Sequence, residues 1–350
     1  MLRAILCDFL RLPDLDVATT CDLRPGRADW MRDLSPRPLT VDLVRSPDEE
    51  WDAFRRRCDW ADSVLVIAPE TDGMLEQRSA YVAACGKRLL GSSAAAVRLC
   101  SDKLALAEHW SARDVFTLPT FSCIGAEAEG GPALPMVVKL RDGAGSQGMQ
   151  LIEDQATWKR WRDAMAARNE LGRFLWQPYW PGRALSVGVI VQNGRAERLP
   201  LAGQRLSQDG RFEYRGGVLP VELQDRSGEE PGRDRITKLI TDALSGIDGL
   251  RGYIGVDLLE LRSPAARIDR VGHAHDGRES EATSLCAVEI NPRLTTSYLG
   301  YRRLSRRNLA GLLFPHEPTA AAEMSPQRIS VRPPQPADWE TGPVEFTADQ

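Results

Sequence analysis

A glycine-rich loop between two strand-like segments constrains the fold more than any other feature of the sequence. The loop, Gly143-Ala144-Gly145-Ser146-Gln147-Gly148, matches the pattern G-x-G-x-x-G. It follows the apolar segment Met136–Leu140 and precedes Met149–Ile152, in which polar and apolar residues alternate. A dinucleotide-binding unit requires a helix after its glycines, whereas alternation is typical of a strand. The pattern therefore predicts a strand–loop–strand flap.

A flap of this kind is suited to binding phosphate groups. Glycines allow backbone N–H groups to approach phosphate oxygens closely. Lys139 lies on the preceding predicted strand, where its ammonium group can neutralise the same oxygens. A glycine-rich hairpin with a surface lysine explains the segment equally well without a ligand.

Two further predicted strands carry acidic residues. Glu289 and Asn291 are two residues apart at the end of one strand, so their side chains face the same side. Asp257 lies within the apolar segment Tyr253–Leu261. Carboxylate and amide oxygens suit Mg²⁺, which usually binds one or two carboxylates together with substrate phosphates. The structural alternative for Asp257 is a solvent-facing acid on an edge strand. Arg293 follows Asn291 closely in the sequence and could bind an anionic reacting group.

The other patterns predict an α/β protein. Short apolar runs predict strands at Leu2–Cys7 and Val64–Ala68, and the turn Asn193-Gly194 predicts a hairpin. Thr295–Phe314 is predicted to form a final helix that carries a basic run. We expect an N-terminal α/β domain at residues 1–100, a central lobe with the flap at 101–172, a C-terminal lobe with the metal site at 173–316, and a loose tail at 317–350.

The composition excludes several classes of function. Lys and Arg total 45 against 49 Asp and Glu, and this near balance disfavours binding to nucleic acid or to an anionic membrane. No apolar run approaches the ~18 residues of a membrane helix, and the first ten residues lack the apolar region of a signal peptide. The 7 cysteines are scattered without a C-x-x-C pair, which indicates reduced thiols. We expect a cytoplasmic protein that acts on small molecules, and a homodimer remains open.

These segments together resemble the ATP-grasp superfamily, specifically its carboxylate–amine ligases, over roughly residues 60 to 314. The resemblance implies an ATP-grasp fold behind an N-terminal pre-ATP-grasp domain, with ATP and Mg²⁺ (or Mn²⁺) as cofactors. The nucleotide-binding residues that it implies are Lys103, Lys139, Gly143, Gly145, Ser146, Gln147, Gly148, Gln177, Pro178 and Tyr179. The metal ligands that it implies are Asp257, Glu289 and Asn291.

A closer similarity exists to the tyramine–glutamate ligase family of methanofuran biosynthesis. It is carried by Ile67-Ala68-Pro69-Glu70-Thr71-Asp72, by Gly91-Ser92-Ser93, and by Glu289-Ile290-Asn291-Pro292-Arg293-Leu294-Thr295-Thr296-Ser297-Tyr298. That family joins the γ-carboxylate of glutamate to the amine of tyramine, and in its bacterial relatives tyrosine or another related amine is a candidate acceptor. The similarity therefore implies glutamate and either tyramine or a tyrosine-like amine as substrates.

The similarity also implies substrate contacts. Arg205 lies in the region that lines the acceptor side in this family, and is a candidate clamp for a substrate carboxylate. Glu70 follows a predicted buried strand, where open α/β sheets bind ligands, and could hold a substrate ammonium group. Surface or helix-start roles explain Arg205 and Glu70 equally well. Ala184 departs from the family pattern, because many ATP-grasp enzymes have a carboxylate there that contacts ribose.

The predicted function is ATP- and Mg²⁺-dependent ligation of a carboxylate to an amine through an acyl phosphate. Lys139 and Arg293 are the predicted catalytic residues. One alternative is an ATP-grasp ligase with another amino-acid substrate, and another is a non-catalytic relative. A third alternative is a nicotinamide-dependent oxidoreductase, which requires a helix directly after Gly148.

Overall fold

The N-terminal part of the chain consists of short helices and small parallel strand pairs. The computed structural model describes residues 1–23, 38–125, 132–223, 232–261, 285–314 and 329–347. The first strand pair is formed by β1 (Val17–Asp22) and β2 (Leu39–Val44), and the second by β3 (Ser63–Val64) and β4 (Arg88–Leu89). The predicted strand at Val64–Ala68 is thus shorter than expected. The helices are α1 (Leu2–Phe9), α2 (Pro47–Trp60), α3 (Met74–Ala84) and α4 (Ala94–Ser101).

The strand predicted at Leu2–Cys7 is wrong, because this segment forms α1. Ala4, Ile5, Asp8 and Phe9 are buried, and this spacing places them on one face of a helix. The apolar run alone could not distinguish the two, since a short buried helix and a short buried strand have the same composition.

The central lobe contains an antiparallel sheet, the small sheet. Its strands occur in the order β5–β8–β6–β7, with helices α5 (Lys103–Ser111) and α6 (Gln155–Ala167) beside them in the chain. The strands are β5 (Phe121–Ser122), β6 (Met136–Leu140), β7 (Gln150–Ile152) and β8 (Phe174–Pro178). Because β7 pairs with β6 directly after the glycine loop, the predicted strand–loop–strand flap is confirmed. The helix that the oxidoreductase hypothesis requires is replaced by a strand.

The C-terminal lobe contains the large sheet, which has seven strands among the described residues. Its centre is the hairpin of β9 (Gly182–Gln192) and β10 (Arg195–Leu206), joined at Asn193-Gly194 as predicted. The turn residues have φ of 50° and 74°, a left-handed conformation that Asn and Gly adopt readily. The other strands are β11 (Tyr214–Leu219), β12 (Gly252–Leu261), β13 (Leu285–Asn291), β14 (Ser330–Arg332) and β15 (Val344–Phe346).

The two faces of the large sheet are covered by different elements. One face packs against α4, α5 and α7 (Gly232–Leu244), with Trp110 and Ile240 fully buried in that core. The other face packs against α1 and α8 (Tyr298–Leu304), where Tyr298 and Tyr301 are fully buried. In the described segments, no helix is long and apolar enough to cross a membrane.

The final helix predicted at Thr295–Phe314 is also wrong in extent, since α8 has only seven residues. Its chain continues in an extended conformation at Ser305, which bridges to Trp339. The basic run has structural partners, and does not line the cleft described below. Arg302 binds Asp8, Arg303 the carbonyl of Glu345, Arg306 the carboxylate of Glu340, and Arg307 that of Glu197.

The loose tail predicted at 317–350 needs correction over residues 329–347. β14 pairs with β10 in parallel, and β15 pairs with β11 in an antiparallel manner. Phe346 is 1% exposed and packs with the core of α1 and α8. The segment after Pro315 is rich in proline and acidic residues, a composition that predicts a tail. Edge strands nevertheless tolerate proline near their ends, and β14 and β15 complete the sheet. Residues 317–328 and 348–350 of that prediction lie outside the described residues.

Candidate active site

A cleft of about 940 Å³ lies between the small sheet and the large sheet. This volume is near the upper end of roughly 300–1,000 Å³ for small-molecule sites. Most of the predicted site residues line it, although they come from segments far apart in the sequence. These are Lys103, Lys139, Gly143, Gly145, Ser146, Gln147, Gln177, Pro178, Tyr179, Asp257, Glu289, Asn291 and Arg293.

The large sheet contributes the acidic wall of the cleft. Asp257 on β12 lies directly opposite Glu289 on β13 in the antiparallel register. Asn291 Nδ2 donates to Asp257 Oδ2 at 3.0 Å, and Gln204 Nε2 donates to Asp257 Oδ1 at 2.8 Å. Burial and the neighbouring Glu289 carboxylate raise the pKa of Asp257 well above its usual range. Two carboxylates this close repel each other, and a cation between them would relieve the repulsion.

This donor set fits a hard divalent cation. Glu289 and Asp257 offer carboxylate oxygens, and Asn291 offers an amide oxygen if its side chain turns. Across the described segments, no group of three or more His, Cys, Asp and Glu side chains is arranged so that it could hold a metal ion. A site of two carboxylates and an amide leaves coordination positions for phosphate oxygens, as Mg²⁺ sites in nucleotide-binding enzymes do.

Two lysines face the acidic wall. Lys103 Nζ lies 3.6 Å from Glu289 Oε2 and donates to the carbonyl of Gly143 at 2.6 Å. Lys139 is 4% exposed. Burial lowers the pKa of Lys139 to about 8. The charge of Lys103 lowers this pKa further, and the charge of Glu289 partly opposes the shift. Burial opposes ionisation of Glu289. The ammonium groups of Lys103 and Lys139, with a hydrogen bond to Asp257 and the charge of Arg293, together lower the pKa of Glu289 to about 2.

The glycine loop between β6 and β7 forms a roof over these charges. Gly145, Ser146 and Gly148 have φ of 65°, 62° and 68°, which favours glycine at the first and last of these positions. A Cβ atom on Gly143 would lie 2.8 Å from Leu140 Cβ, so the loop passes too close to β6 for a side chain there. Ser146 Oγ donates to the carbonyl of Phe212 at 2.7 Å and thereby connects the loop to the C-terminal lobe.

The end of β8 forms the far end of the cleft. Gln177 Nε2 donates to Thr120 Oγ1 at 2.7 Å, and the Tyr179 N–H donates to the carbonyl of Pro135 at 2.9 Å. Pro178 has no N–H, and the N–H of Tyr179 is already bonded to Pro135. The predicted contact residues Pro178 and Tyr179 therefore offer their backbone carbonyl oxygens. The apolar side chains of Leu118, Val137, Leu259 and Val288 line the same cleft and could pack against a planar base.

Three predicted site residues do not line the cleft. Gly148 packs beneath the loop, where an added Cβ would lie 3.2 Å from Leu140 and 3.3 Å from Phe174. Glu70 is buried beside the cleft, and its Oε2 accepts a hydrogen bond from Arg293 Nε at 2.7 Å. The predicted contact of Glu70 with a substrate ammonium group is therefore replaced by an ion pair within the protein.

Arg205 lies outside the cleft and forms an ion pair with Glu345 on β15. The structure therefore does not bring Arg205 into the cleft, where the predicted clamp for a substrate carboxylate would have to lie. Strand alternation explains the difference, because its neighbours Gln204 and Leu206 line the cleft and Arg205 lies on the opposite face. Gln204, which contacts Asp257, is the functional candidate that the sequence reasoning passed over. Only the pairing of β9 with both β10 and β12 could have indicated it.

The chain is similar to known proteins in its domains and in its sequence. The family model for the ATP-grasp domain matches residues 100–297, and the model for the pre-ATP-grasp 3 domain matches residues 15–97. Two curated relatives, each called a tyramine--L-glutamate ligase, come from Methanocaldococcus jannaschii and Methanocaldococcus fervens. Each is 25% identical over 253 residues, or 72% of this chain. The chain spans only 61% and 65% of their lengths.

Among solved structures, the fold is similar to that of biotin carboxylase from Campylobacter jejuni, with a TM-score of 0.69 and 16% identity. That match covers 98% of this chain and 72% of the other. The L-amino acid ligase from Bacillus licheniformis matches with a TM-score of 0.64 and 15% identity, over 93% of this chain and 74% of the other. At these identities the structures bear on the fold alone.

Proposed function

Because the chain belongs to the ATP-grasp family, we propose that it uses ATP to join a carboxylate to an amine, with release of ADP and phosphate. The observation that carries this proposal is the meeting of two lysines, a carboxylate pair and a glycine loop in one cleft. The lysines, the N–H groups of the loop and a cation held by the carboxylates would complement the negative charge of the distal phosphates of ATP.

The groups of the chain are arranged for transfer of the γ-phosphoryl group. Lys103 and Lys139 would neutralise phosphate oxygens, and the N–H groups of the glycine loop would donate to them. A catalyst stabilises the charge that develops in its own transition state, so cations gathered at the distal phosphates favour γ-transfer over attack at the α-phosphate. The activated acid would be an acyl phosphate, which the amine then attacks.

Mg²⁺ is the proposed ion, with Mn²⁺ as a substitute, and Asp257, Glu289 and Asn291 would hold it. When bound, it would neutralise the phosphates and orient them for an in-line displacement. Gln204 and Asn291 keep the Asp257 carboxylate in one orientation through their hydrogen bonds. Arg293 lines the cleft near these residues, and would stabilise the oxyanion formed when the amine attacks.

We propose glutamate, through its γ-carboxylate, and tyramine or a tyrosine-like amine as the substrates. Support comes from the names of the curated relatives and from the segments around Glu70 and Glu289 that resemble their family. The product would enter biosynthesis of a methanofuran-type one-carbon cofactor. We propose a cytoplasmic location, consistent with the 7 free cysteines.

The test incubates the protein with Mg-ATP, glutamate and each candidate amine, and then separates nucleotides and products. We expect ADP, phosphate and a γ-glutamyl amide of one aromatic amine. Formation of AMP would overturn the mechanism. Formation of ADP without any glutamyl amide would leave the mechanism standing and overturn the proposed substrates.

A further inference from the structure

We propose that Glu70, in the N-terminal part, is a positioning residue that holds the guanidinium group of Arg293 in place beside the cleft. The proposal rests on the function proposed above, in which Arg293 meets an anion. It replaces the substrate contact that the sequence suggested for Glu70 with an action through Arg293.

The bonds of Arg293 define which of its edges can meet a ligand. Arg293 Nε donates to Glu70 Oε2 at 2.7 Å, and Nη1 donates to the carbonyl of Leu294 at 3.1 Å. Within the part of the chain that the structure describes, Nη2 of Arg293 forms no hydrogen bond. Because a guanidinium group is planar, fixing two of its nitrogens fixes the direction of the third. Since Arg293 lines the cleft, Nη2 is the donor left for an anion there.

A second buried ion pair shows what Glu70 would look like in a purely structural role. Asp8 pairs with Arg302, and the exposed fractions of these side chains are 6% and 22%, close to 5% and 16% for Glu70 and Arg293. Both Asp8 oxygens are satisfied, since Arg302 donates to each and Tyr298 donates to Oδ2. Both pairs connect the N-terminal part to the segment that follows β13.

Glu70 is less well satisfied than Asp8. Its Oε1 is buried without a hydrogen-bond partner among the described residues. A buried acceptor without a hydrogen bond lowers stability, so stability alone does not explain this pair. A role in orienting Arg293 explains why only one oxygen of Glu70 is bonded. One acceptor on Nε is sufficient to orient the guanidinium group and to keep it from turning away from the cleft.

The position of Arg293 indicates which anion it meets. It follows Asn291 by two residues, and the backbone N–H of Arg293 donates to the Asn291 carbonyl at 2.8 Å in a tight turn. The Nη2 edge therefore lies at the end of the proposed metal strand. The anion expected there is the acyl phosphate, whose carbonyl oxygen becomes the oxyanion when the amine attacks, and then the phosphate that leaves it.

The test compares Glu70→Gln, which keeps the shape and removes the charge, with the matched control Asp8→Asn. The first measurement is the affinity of inorganic phosphate for the protein saturated with Mg-ADP, by calorimetry. We expect Glu70→Gln to weaken phosphate binding about tenfold, as for a weakened charge-assisted hydrogen bond, and Asp8→Asn to leave it unchanged. The second measurement is turnover, with an expected loss of about tenfold in kcat for Glu70→Gln and a KM for ATP within about twofold.

Both variants are expected to lower the melting temperature, so stability alone does not distinguish them. A double-mutant cycle does, since Glu70→Gln should have no further effect on phosphate binding in an Arg293→Ala background. Equal phosphate affinity in Glu70→Gln and the unaltered protein would overturn the proposal, as would an unaltered protein that does not bind phosphate. If no acid and amine are ligated, the proposed function fails while the phosphate measurement still decides the role of Glu70.

Discussion

The two walls of the cleft present their groups to a ligand in different ways. On the large sheet, Asp257 and Glu289 are held by strands β12 and β13, and β12 is paired along both of its edges. On the small sheet, the glycine loop is held by a few contacts, among them those of Ser146 with Phe212 and of Gly143 with Lys103.

The difference separates fixed charges from movable donors. Opening the acidic wall would break a ladder of backbone hydrogen bonds within a buried core, whereas opening the loop breaks a few bonds near the surface. The acidic wall is thus suited to hold a cation in constant geometry. The loop is suited to open for a nucleotide and to close over it.

The largest effect is expected for Glu289→Gln on the acidic wall. The amide keeps the shape of the side chain and removes the carboxylate charge that lies opposite Asp257. We expect ATP to bind while kcat falls by on the order of a hundredfold or more, since electrostatic groups in such sites contribute that much. Calorimetry of ATP binding and an ADP-release assay measure the two quantities. Activity within about threefold of the unaltered protein would contradict the metal assignment.

The next effect is expected for Lys139→Met, which tests the buried charge beneath the loop. Affinity for ATP should fall on the order of 10- to 100-fold, the value of a hydrogen bond to a charged group. The fold should become more stable at pH 7, because a lysine whose pKa falls from 10.5 to about 8 on folding destabilises the protein below pH 8. That penalty is relieved as the pH rises from 8 to 10.5, where the unfolded chain binds the extra proton.

Measurements at two pH values test both parts of this prediction. In the unaltered protein, ATP affinity should weaken above about pH 8, because the binding site must then take up a proton on Lys139. Lys139→Met should lack this dependence and should have a higher melting temperature without ligand at pH 7. An unaltered pH profile in the variant would assign the dependence to another group.

A smaller effect is expected for Gly143→Ala, which tests the close approach of the loop to β6. The added Cβ would meet Leu140 Cβ at 2.8 Å, so the loop must shift and its N–H groups lose their alignment. We expect about a tenfold loss in kcat/KM for ATP, the effect of weakening one hydrogen bond to a charged group. Gly145→Ala is the matched control. No atom of the described residues lies within 4 Å of a Cβ added there, and only the left-handed φ costs about 1–2 kcal/mol. An equal loss in both variants would show that backbone conformation, not contact with Leu140, determines the effect.

The smallest effect is expected for Ser146→Ala, which removes the hydroxyl bond to the Phe212 carbonyl. Loss of one neutral hydrogen bond near the surface is worth about 1 kcal/mol. We expect faster amide hydrogen exchange in residues 143–149 without nucleotide and a change in kcat of no more than about threefold. Exchange as slow as in the unaltered protein would show that other contacts hold the loop closed.

Local patterns in the sequence were sufficient for the chemistry of each wall. The alternation after Gly148 predicted β7, and the spacing of Glu289 and Asn291 predicted two side chains on one side of β13. Both inferences depend on periods of two residues within a single strand, which neighbouring elements do not change.

Long-range pairing was beyond these patterns. The sequence favours Arg205 over its neighbour Gln204 as a residue of the site. Neighbouring residues of a strand face opposite sides of the sheet, so only one of the two can line the cleft. The register of β10 against β9 decides which one does. The helix at Leu2–Phe9 and the strands at Ser330–Arg332 and Val344–Phe346 depend likewise on partners elsewhere in the chain.

The flap, the acidic strands and the lysines follow from residue types and their local spacing, which can be read from the sequence alone. The ion pair of Glu70 with Arg293, 223 residues apart, and that of Arg205 with Glu345 depend on how the chain folds. A charged side chain at a contact between elements pairs with an opposite charge that packing brings within reach. That pairing is made between elements brought together by folding, not within any one of them.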